Sequence, residues 1–236
     1  MNLIKLKGII IKETTYKEND KIVTILTDDL GKIACIARGA KRTNSPILAN
    51  SQYLVYSEFV LYKSKNFYYI NSAEVINTFY NLRINIDKLT HIFELTRIIN
   101  SVTDENQDTS LVLKLFLNTI YAIDKYDKDI EFLIAVFKIK LFQILGFAPR
   151  VINCSNCGKD LENSAIFYDY VSNVFLCDNC SVEDKRRYVK ISRATLIAIR
   201  YIIISDIKKI FFFELKDTTE LKLFGQVFSD SMNGNI

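Results

Sequence analysis

Cys154-Ser155-Asn156-Cys157 and Cys177-Asp178-Asn179-Cys180 are two CxxC turns separated by nineteen residues. Each turn lets two thiolates converge on one point, and two turns complete a tetrahedron. The span between them carries strand-like runs, Ala165-Ile166-Phe167-Tyr168-Asp169 and Val174-Phe175-Leu176. That is the hairpin of a zinc ribbon. Gly158 follows the first turn, where a positive φ is often required. Four thiolates around one Zn²⁺ per chain leave a net charge of −2, which Lys159, Lys185 and Arg186 are near enough in sequence to offset. Such a closed shell has no position for water, so it points to a structural ion rather than a catalytic one. The alternatives are two disulfides, with three possible connectivities, and a redox CxxC, which does not need two paired copies.

Outward from this module the pattern is helical. On its N-terminal side Leu89, Ile92, Phe93, Thr96 and Ile99 follow 3–4 spacing, as do Leu111, Leu115, Phe116, Ile120 and Ile123. From Ile130 to Leu145 the apolar residues run almost all the way round, which predicts a central helix packed on several sides, ended by Gly146 and Pro149. After the module Ile191, Leu196, Ile199 and Ile203 resume helical spacing, and Phe211-Phe212-Phe213 read as helix core or an interface.

Further back the period changes to two. Ile9–Ile11, Ile22–Leu26 and Ile33–Ala37 are short β-branched runs, the last two joined by Asp28-Asp29-Leu30-Gly31. Tyr53 to Lys63 alternates, with Tyr53, Val55, Ser57, Phe59 and Leu61 on one side, and Phe67 to Ile76 follows the turn Ser64-Lys65-Asn66. Five strands in the first 80 residues, with turn signals between them, predict a small closed barrel. The fold class is α+β and multidomain: a barrel over 1–80, a helical domain over 81–150, the Cys module over 151–190, and the rest of the helical domain over 191–236.

The composition suits a globular chain: of 236 residues, 49% are apolar and 25% charged, which excludes a disordered or low-complexity protein. The Lys5- and Lys7-interrupted start is not a signal peptide. The oily segments Phe132–Phe147 and Leu196–Ile204 carry Lys138, Lys140 and Arg200 and fall short of the ~20 apolar residues of a membrane helix. A cytoplasmic chain with reduced thiols and no membrane partner is expected. His91 is the single histidine, so no two-His metal site exists, and no nucleophile elbow, H-E-x-x-H or Gly-rich dinucleotide fingerprint is present. No enzyme is expected. Cys35, inside an alternating strand, reads as a small core residue.

The formal charge is +4, and residues 1–80 carry all of the excess, with eleven Lys/Arg against seven Asp/Glu. In the run from Lys32 to Arg42, three cations, Arg38, Lys41 and Arg42, cluster around Gly39, and Lys12, Lys17, Lys63 and Lys65 add to them. Tyr16, Tyr53, Tyr56, Phe59, Tyr62, Phe67, Tyr68 and Tyr69 are interleaved. Cations along a groove meet phosphates and rings stack on bases, the composition of a single-strand binder. A solvated strand face over an aromatic core has the same composition, and both readings stand at this level.

Lys7–Ile11, Tyr16–Thr24, Leu30-Gly31, Ala37–Arg42, Leu145–Pro149 and the four cysteines, taken in this order, resemble the RecO family of bacterial recombination mediators. The resemblance runs to about residue 224. It implies an oligonucleotide/oligosaccharide-binding (OB) fold for the barrel and binding of single- and double-stranded DNA without sequence preference. It further implies annealing of complementary strands and, with RecR, help in loading RecA in the RecF pathway of DNA repair. The partners it implies are RecR, the single-strand DNA-binding protein on the helical domain, and RecA indirectly, at the nucleoid. The alternative is a scaffold that docks RecR and the single-strand binding protein with little direct DNA contact. Two departures stand out: Thr43–Asn50 carries no cation where the family has more, and the chain ends early, in Ser231–Ile236, without a basic tail.

Overall fold

The computed structural model describes residues 3–65, 67–163, 165–181 and 188–232. The expected offsets at Lys185 and Arg186, Asn66 of the β-turn, and the last four residues of the chain lie outside them. The chain forms two compact units, Met1–Leu117 and Asn118–Ile236.

The first unit is built on five strands, β1 (Leu3–Tyr16), β2 (Asp20–Thr27), β3 (Lys32–Ala37), β4 (Tyr56–Ser64) and β5 (Phe67–Asn77). They close into a barrel in the order β1-β2-β3-β5-β4. This is the strand order of an OB fold. The long β1 serves two neighbours: Leu3–Ile9 pair with β4, and Gly8–Tyr16 pair with β2. A register shift between Ile10 and Lys12 lets the strand bend from one to the other. Alternation fills the interior with Leu6, Ile10, Val23, Ile25, Ile33, Phe59, Leu61 and Ile70. Ser57, Phe59 and Leu61 point inward as the alternation predicts, but Tyr53 and Val55 precede β4, in a turn where Leu54 takes a φ of +64° and Val55 N donates to Gln52 O. Cys35 is a fully buried core residue. Closure rests on a short parallel ladder, Cys35 with Tyr68 and Ile36 with Tyr69.

Three helices follow: α1 (Tyr80–Ile84), α2 (Ile86–Val102) and α3 (Ser110–Lys125). Asn85 caps α2 by accepting from the Lys88 amide. The α2–α3 loop is stitched to the β2–β3 turn: Lys32 N donates to Asp104 O, Asn106 N to Leu30 O, and Thr109 N to Asp28 O. Thr109 Oγ1 adds a buried bond of 2.8 Å to Thr27 O. The change of period near residue 80 therefore marks a change of secondary structure, whereas the packing of α1 and α2 belongs with the barrel.

In the second unit α4 (Ile130–Ile144) is buried continuously from Phe132 to Phe142, as its all-round apolar pattern predicts. Asp129 caps it, and Gly146 takes a φ of +84° just past its end. Against it lie α5 (Arg193–Ile204) and α6 (Thr219–Met232). At Gly225 of α6 an added Cβ would sit 2.9 Å from the Ala135 Cα, so only Gly allows the two helices to approach so closely. Lys140, buried on α4, caps the end of α5 by donating to Ile203 O and Ser205 O at 2.9 and 2.8 Å.

The Cys-bearing segment forms a three-stranded sheet in the order β7-β6-β8, from β6 (Ile166–Asp169), β7 (Val174–Cys177) and β8 (Tyr188–Ile191). Two expectations are corrected. Ile191 belongs to β8, paired with Ile166, and α5 begins only after the Ser192 cap. Phe211–Phe213 are not helical. They follow a 3-10 turn at Ile207–Lys209, and Lys128 Nζ donates to the carbonyls of Phe211 and Phe213, each at 2.9 Å. Phe211 is buried while Phe212 is 64% exposed. No helix among the described residues is long and apolar enough to cross a membrane.

Gly31 sits at the stitched turn with a φ of +70°, and a Cβ there would collide with the backbone carbonyl of Asp104. Gly31→Ala is expected to lower the unfolding free energy by about 2 kcal/mol or more. A urea titration followed by circular dichroism checks this as a lower midpoint at unchanged secondary structure.

Candidate nucleic-acid interface and metal centre

Barrel closure determines which loops share a rim. The β1–β2 loop (17–19) and the segment after β3 (38–42) share one rim, because Lys21 pairs with Ala37. The β4–β5 turn leads into a strand parallel to β3 and so lies toward the start of β3, where Lys63 reaches Glu105, the bridge partner of Gly31. Hydrogen bonds lock the first two together. Gly39 N donates to Asp20 Oδ1 at 2.8 Å, and Lys41 N donates to Asn19 O at 3.0 Å. Lys17 and Lys65 both hold a positive φ of 54°, which turns the chain sharply at the two loops.

This rim brings together Lys17, Arg38, Lys41 and Arg42, all exposed, while Lys63 and Lys65, exposed as well, stand by the β4–β5 turn toward the start of β3. The Arg38 guanidinium lies 4.4 Å from the centroid of the Tyr69 ring, and Tyr69 stacks on Tyr62 with centroids 5.1 Å apart at 10°. Both tyrosines stand on the outer face of β4 and β5, opposite the inward Leu61 and Tyr68. Lys63 Nζ lies 4.7 Å from the Tyr68 ring and 4.0 Å from Glu105. The result is a cationic edge beside a flat pair of rings, able to meet phosphates and stack a base.

Lys32 and Lys12, also candidates from the sequence, lie elsewhere too. Lys32 is at the start of β3, the far end of that strand from Arg38, and donates to Asn100 O at 2.6 Å. Lys12 is in the middle of β1, opposite Thr24. The uncharged stretch 43–50 has its own physical role. Ile47 packs on the barrel core, and Asn50 Nδ2 donates to Ala73 O at 2.8 Å and Pro46 O at 3.3 Å. The segment therefore plugs the barrel, a task that favours apolar and amide side chains over Lys and Arg.

The second feature is the cysteine cluster. The Sγ atoms of Cys154, Cys157, Cys177 and Cys180 all lie within 4.8 Å of one another, with Cys157 and Cys177 at 3.7 Å. None is in a disulfide, and a disulfide needs sulfurs about 2.05 Å apart. Backbone turns shape both knuckles: Gly158 N donates to Cys154 O, and Cys180 N and Ser181 N donate to Cys177 O. Gly158 has the expected positive φ, 74°. Ser155 N donates to Phe175 O, which ties the first knuckle to β7, whose end carries the second. Burial acts to raise the Cys154 thiol, but hydrogen bonds from the Cys157, Cys177 and Asn156 amides prevail and bring it down to about 6. Four soft donors around one point could hold a metal ion. Behind them Tyr168 and Phe175 pack on Phe224 of α6 with centroids 4.6 and 5.7 Å away. Arg200 of α5 grips the segment through Val151 O and Glu162, each at 2.7 Å.

Comparison with known proteins agrees with this order of parts. The family described as "Recombination protein O N terminal" matches residues 1–79, and "Recombination protein O C terminal" matches residues 83–227. The chain belongs to the RecO family of DNA repair proteins. Similar relatives are each named DNA repair protein RecO. That of Acetivibrio thermocellus is 39% identical, covering 92% of this chain and 86% of the relative. That of Caldicellulosiruptor saccharolyticus is 35% identical, covering 89% and 84%. That of Clostridium perfringens is 32% identical, covering 95% and 89%. The resemblance of this chain to RecO was thus legible in its motifs. One cluster was not: Arg83, Phe93 and Arg97 converge with Tyr53 and Lys12 on a single cavity. Their only trace in the sequence is the i, i+4 pair Phe93/Arg97 on one helical face.

Position separates the two kinds of cysteine: Cys154, Cys157, Cys177 and Cys180 share one cluster near the surface of a small sheet, whereas Cys35 lies alone in the barrel core. Burial raises the Cys35 thiol far above its ordinary value. After chelation under reducing conditions, a disulfide reagent should titrate four thiols rapidly and the fifth, Cys35, only on unfolding.

Proposed function

We propose that this chain is a non-catalytic mediator of DNA repair and homologous recombination. It binds single- and double-stranded DNA at the barrel rim, anneals complementary strands and, with RecR, helps load RecA in the RecF pathway. One observation carries this reading: two hydrogen-bonded loops, each with its own cations, meet beside the stacked Tyr62–Tyr69 pair, on which Arg38 lies. Contacts to phosphates and ring faces carry no base code, so the binding is independent of sequence. Two strands repel each other as polyanions. A cationic rim that displaces counterions lowers that barrier without making or breaking a bond, and no nucleotide hydrolysis is needed. The helical unit then serves protein partners, RecR and the single-strand DNA-binding protein, in the cytoplasm at the nucleoid.

The ion in the cysteine cluster is Zn²⁺, one per chain. With Zn–S bonds of about 2.3 Å, a tetrahedron has sulfur–sulfur edges of about 3.8 Å, against 3.7 Å between Cys157 and Cys177. Cys154, Cys157, Cys177 and Cys180 hold it, and four protein ligands leave no position for water or substrate. Its contribution is to staple a small sheet that has little core of its own.

Replacing Arg38, Lys41 and Arg42 together with Ala should weaken oligonucleotide binding and flatten the dependence of log affinity on log salt by about 2, at ~0.7 per lost phosphate contact. Fluorescence anisotropy at several salt concentrations measures this. An unchanged slope places the contacts elsewhere, and binding seen only with RecR present favours the scaffold reading. Strand annealing by the purified chain should proceed without ATP. Elemental analysis should find one zinc per chain, and chelation should loosen the ribbon before the barrel, as read by hydrogen exchange.

A further inference from the structure

We propose a second nucleic-acid subsite in the first unit, a cavity that takes one base of a single strand on the Phe93 ring and the adjoining phosphate on Lys12 and Arg97. The cavity has a volume of about 760 Å³, within the range of small-ligand pockets. Its floor is a stacked pair: Tyr53 and Phe93 lie with centroids 4.8 Å apart at 21°. The pair is held in place from below. The Thr96 hydroxyl donates to Phe93 O at 3.0 Å, which leaves Tyr53 to donate its own hydroxyl to Thr96 Oγ1, also at 3.0 Å. Phe93 is nonetheless 52% exposed. A large ring fixed by a stacking partner on one side and open to solvent on the other is a platform that a base can extend.

The walls supply the opposite charge. Lys12, Lys21, Arg83 and Arg97 face a single acid, Glu13. Lys21 is neutralised by Glu13 at 3.0 Å, and Arg83 donates to Gln52 Oε1. Among the described residues, the side chains of Lys12 and Arg97 have no hydrogen-bond or ion-pair partner, and both residues are exposed. Two uncommitted cations beside an open aromatic face match the two halves of a nucleotide. A nucleotide answers both features with one rigid unit, an anionic phosphate and a flat base, whereas an acidic peptide needs two separate side chains to do so. The lining mixes apolar Ile11 and Leu89 with polar Thr96, Asn100 and Gln52. The cavity is also connected to the rim: from Lys12, β1 runs to Tyr16 and the loop at Lys17, about 16 Å at ~3.3 Å per residue. A single strand a few nucleotides long bridges that distance. The inference rests on the reading that the partner is DNA, but it concerns different residues from those of the rim.

The chain has no Trp, so Phe93→Trp introduces a unique fluorophore at the platform, at a half-exposed site that tolerates the larger ring. Titration with oligothymidylate should quench it saturably, and Arg97→Ala in that background should weaken the quenching. In the wild-type background, Phe93→Ala should lower oligothymidylate affinity about fivefold or more by anisotropy, the loss of one stacked base. Anisotropy that reports wild-type binding without any quenching would overturn the subsite and leave the rim reading intact. Loss of both signals would overturn both readings. Quenching by a Glu/Phe copolymer peptide and not by oligothymidylate would overturn the nucleotide assignment.

Discussion

The parallel contact between β3 and β5 is the constraint on which the rest of the first unit depends. It is short, two residue pairs, yet it closes the barrel and so brings the end of β3 beside the start of β5. Without it, Arg38 would not reach Tyr69, and the cations of segment 38–42 would stand apart from the stacked rings. The interior makes this closure favourable. Cys35 and Tyr68 are buried on the inner face, while Ile36 and Tyr69 lie on the outer one. A one-residue slip would exchange these faces and put the rings and the cation on the wrong side. Core packing and the candidate interface are therefore two faces of the same register.

The second unit has its own organising element. α4 is enclosed on all sides, and its polar groups are spent on neighbours: Lys140 caps α5, and Asp129 pairs with Lys222 of α6. Lys222 holds the Asp129 carboxyl below its ordinary range. That surface contribution is complete above the usual carboxylate pKa and fades as pH falls through the depressed one. The ribbon is fastened to the same helices by Phe224 and Arg200, so the cysteine cluster is anchored at its base by packing.

Much of this was readable in the chain. Alternation in Tyr53–Lys63 gave the faces of β4, the all-round apolar run gave α4, and the CxxC spacing gave the cluster, because each signal is local. What was not readable depends on contacts distant in sequence. Lys32 looks like its neighbours in a basic run, but Asn100, from another element, takes its ammonium. Ile191 fits a helical period until Ile166 pairs with it. The Phe triplet has the composition of a helix core, yet Lys128 takes two of its carbonyls. The bare 43–50 stretch reads as a lost DNA contact until its packing as a plug is seen. The Tyr53–Phe93 platform joins residues forty positions apart, and no spacing rule reports such a pair.

Lysine acetylation read by mass spectrometry, with and without saturating oligothymidylate, tests the central claim that the closed barrel's rim is the surface that meets DNA. Lys17 and Lys41 should be strongly protected by the oligonucleotide, while exposed Lys208 and Lys209 of the second unit should react as before. Protection of Lys208 and Lys209 with the rim lysines unchanged would contradict the account.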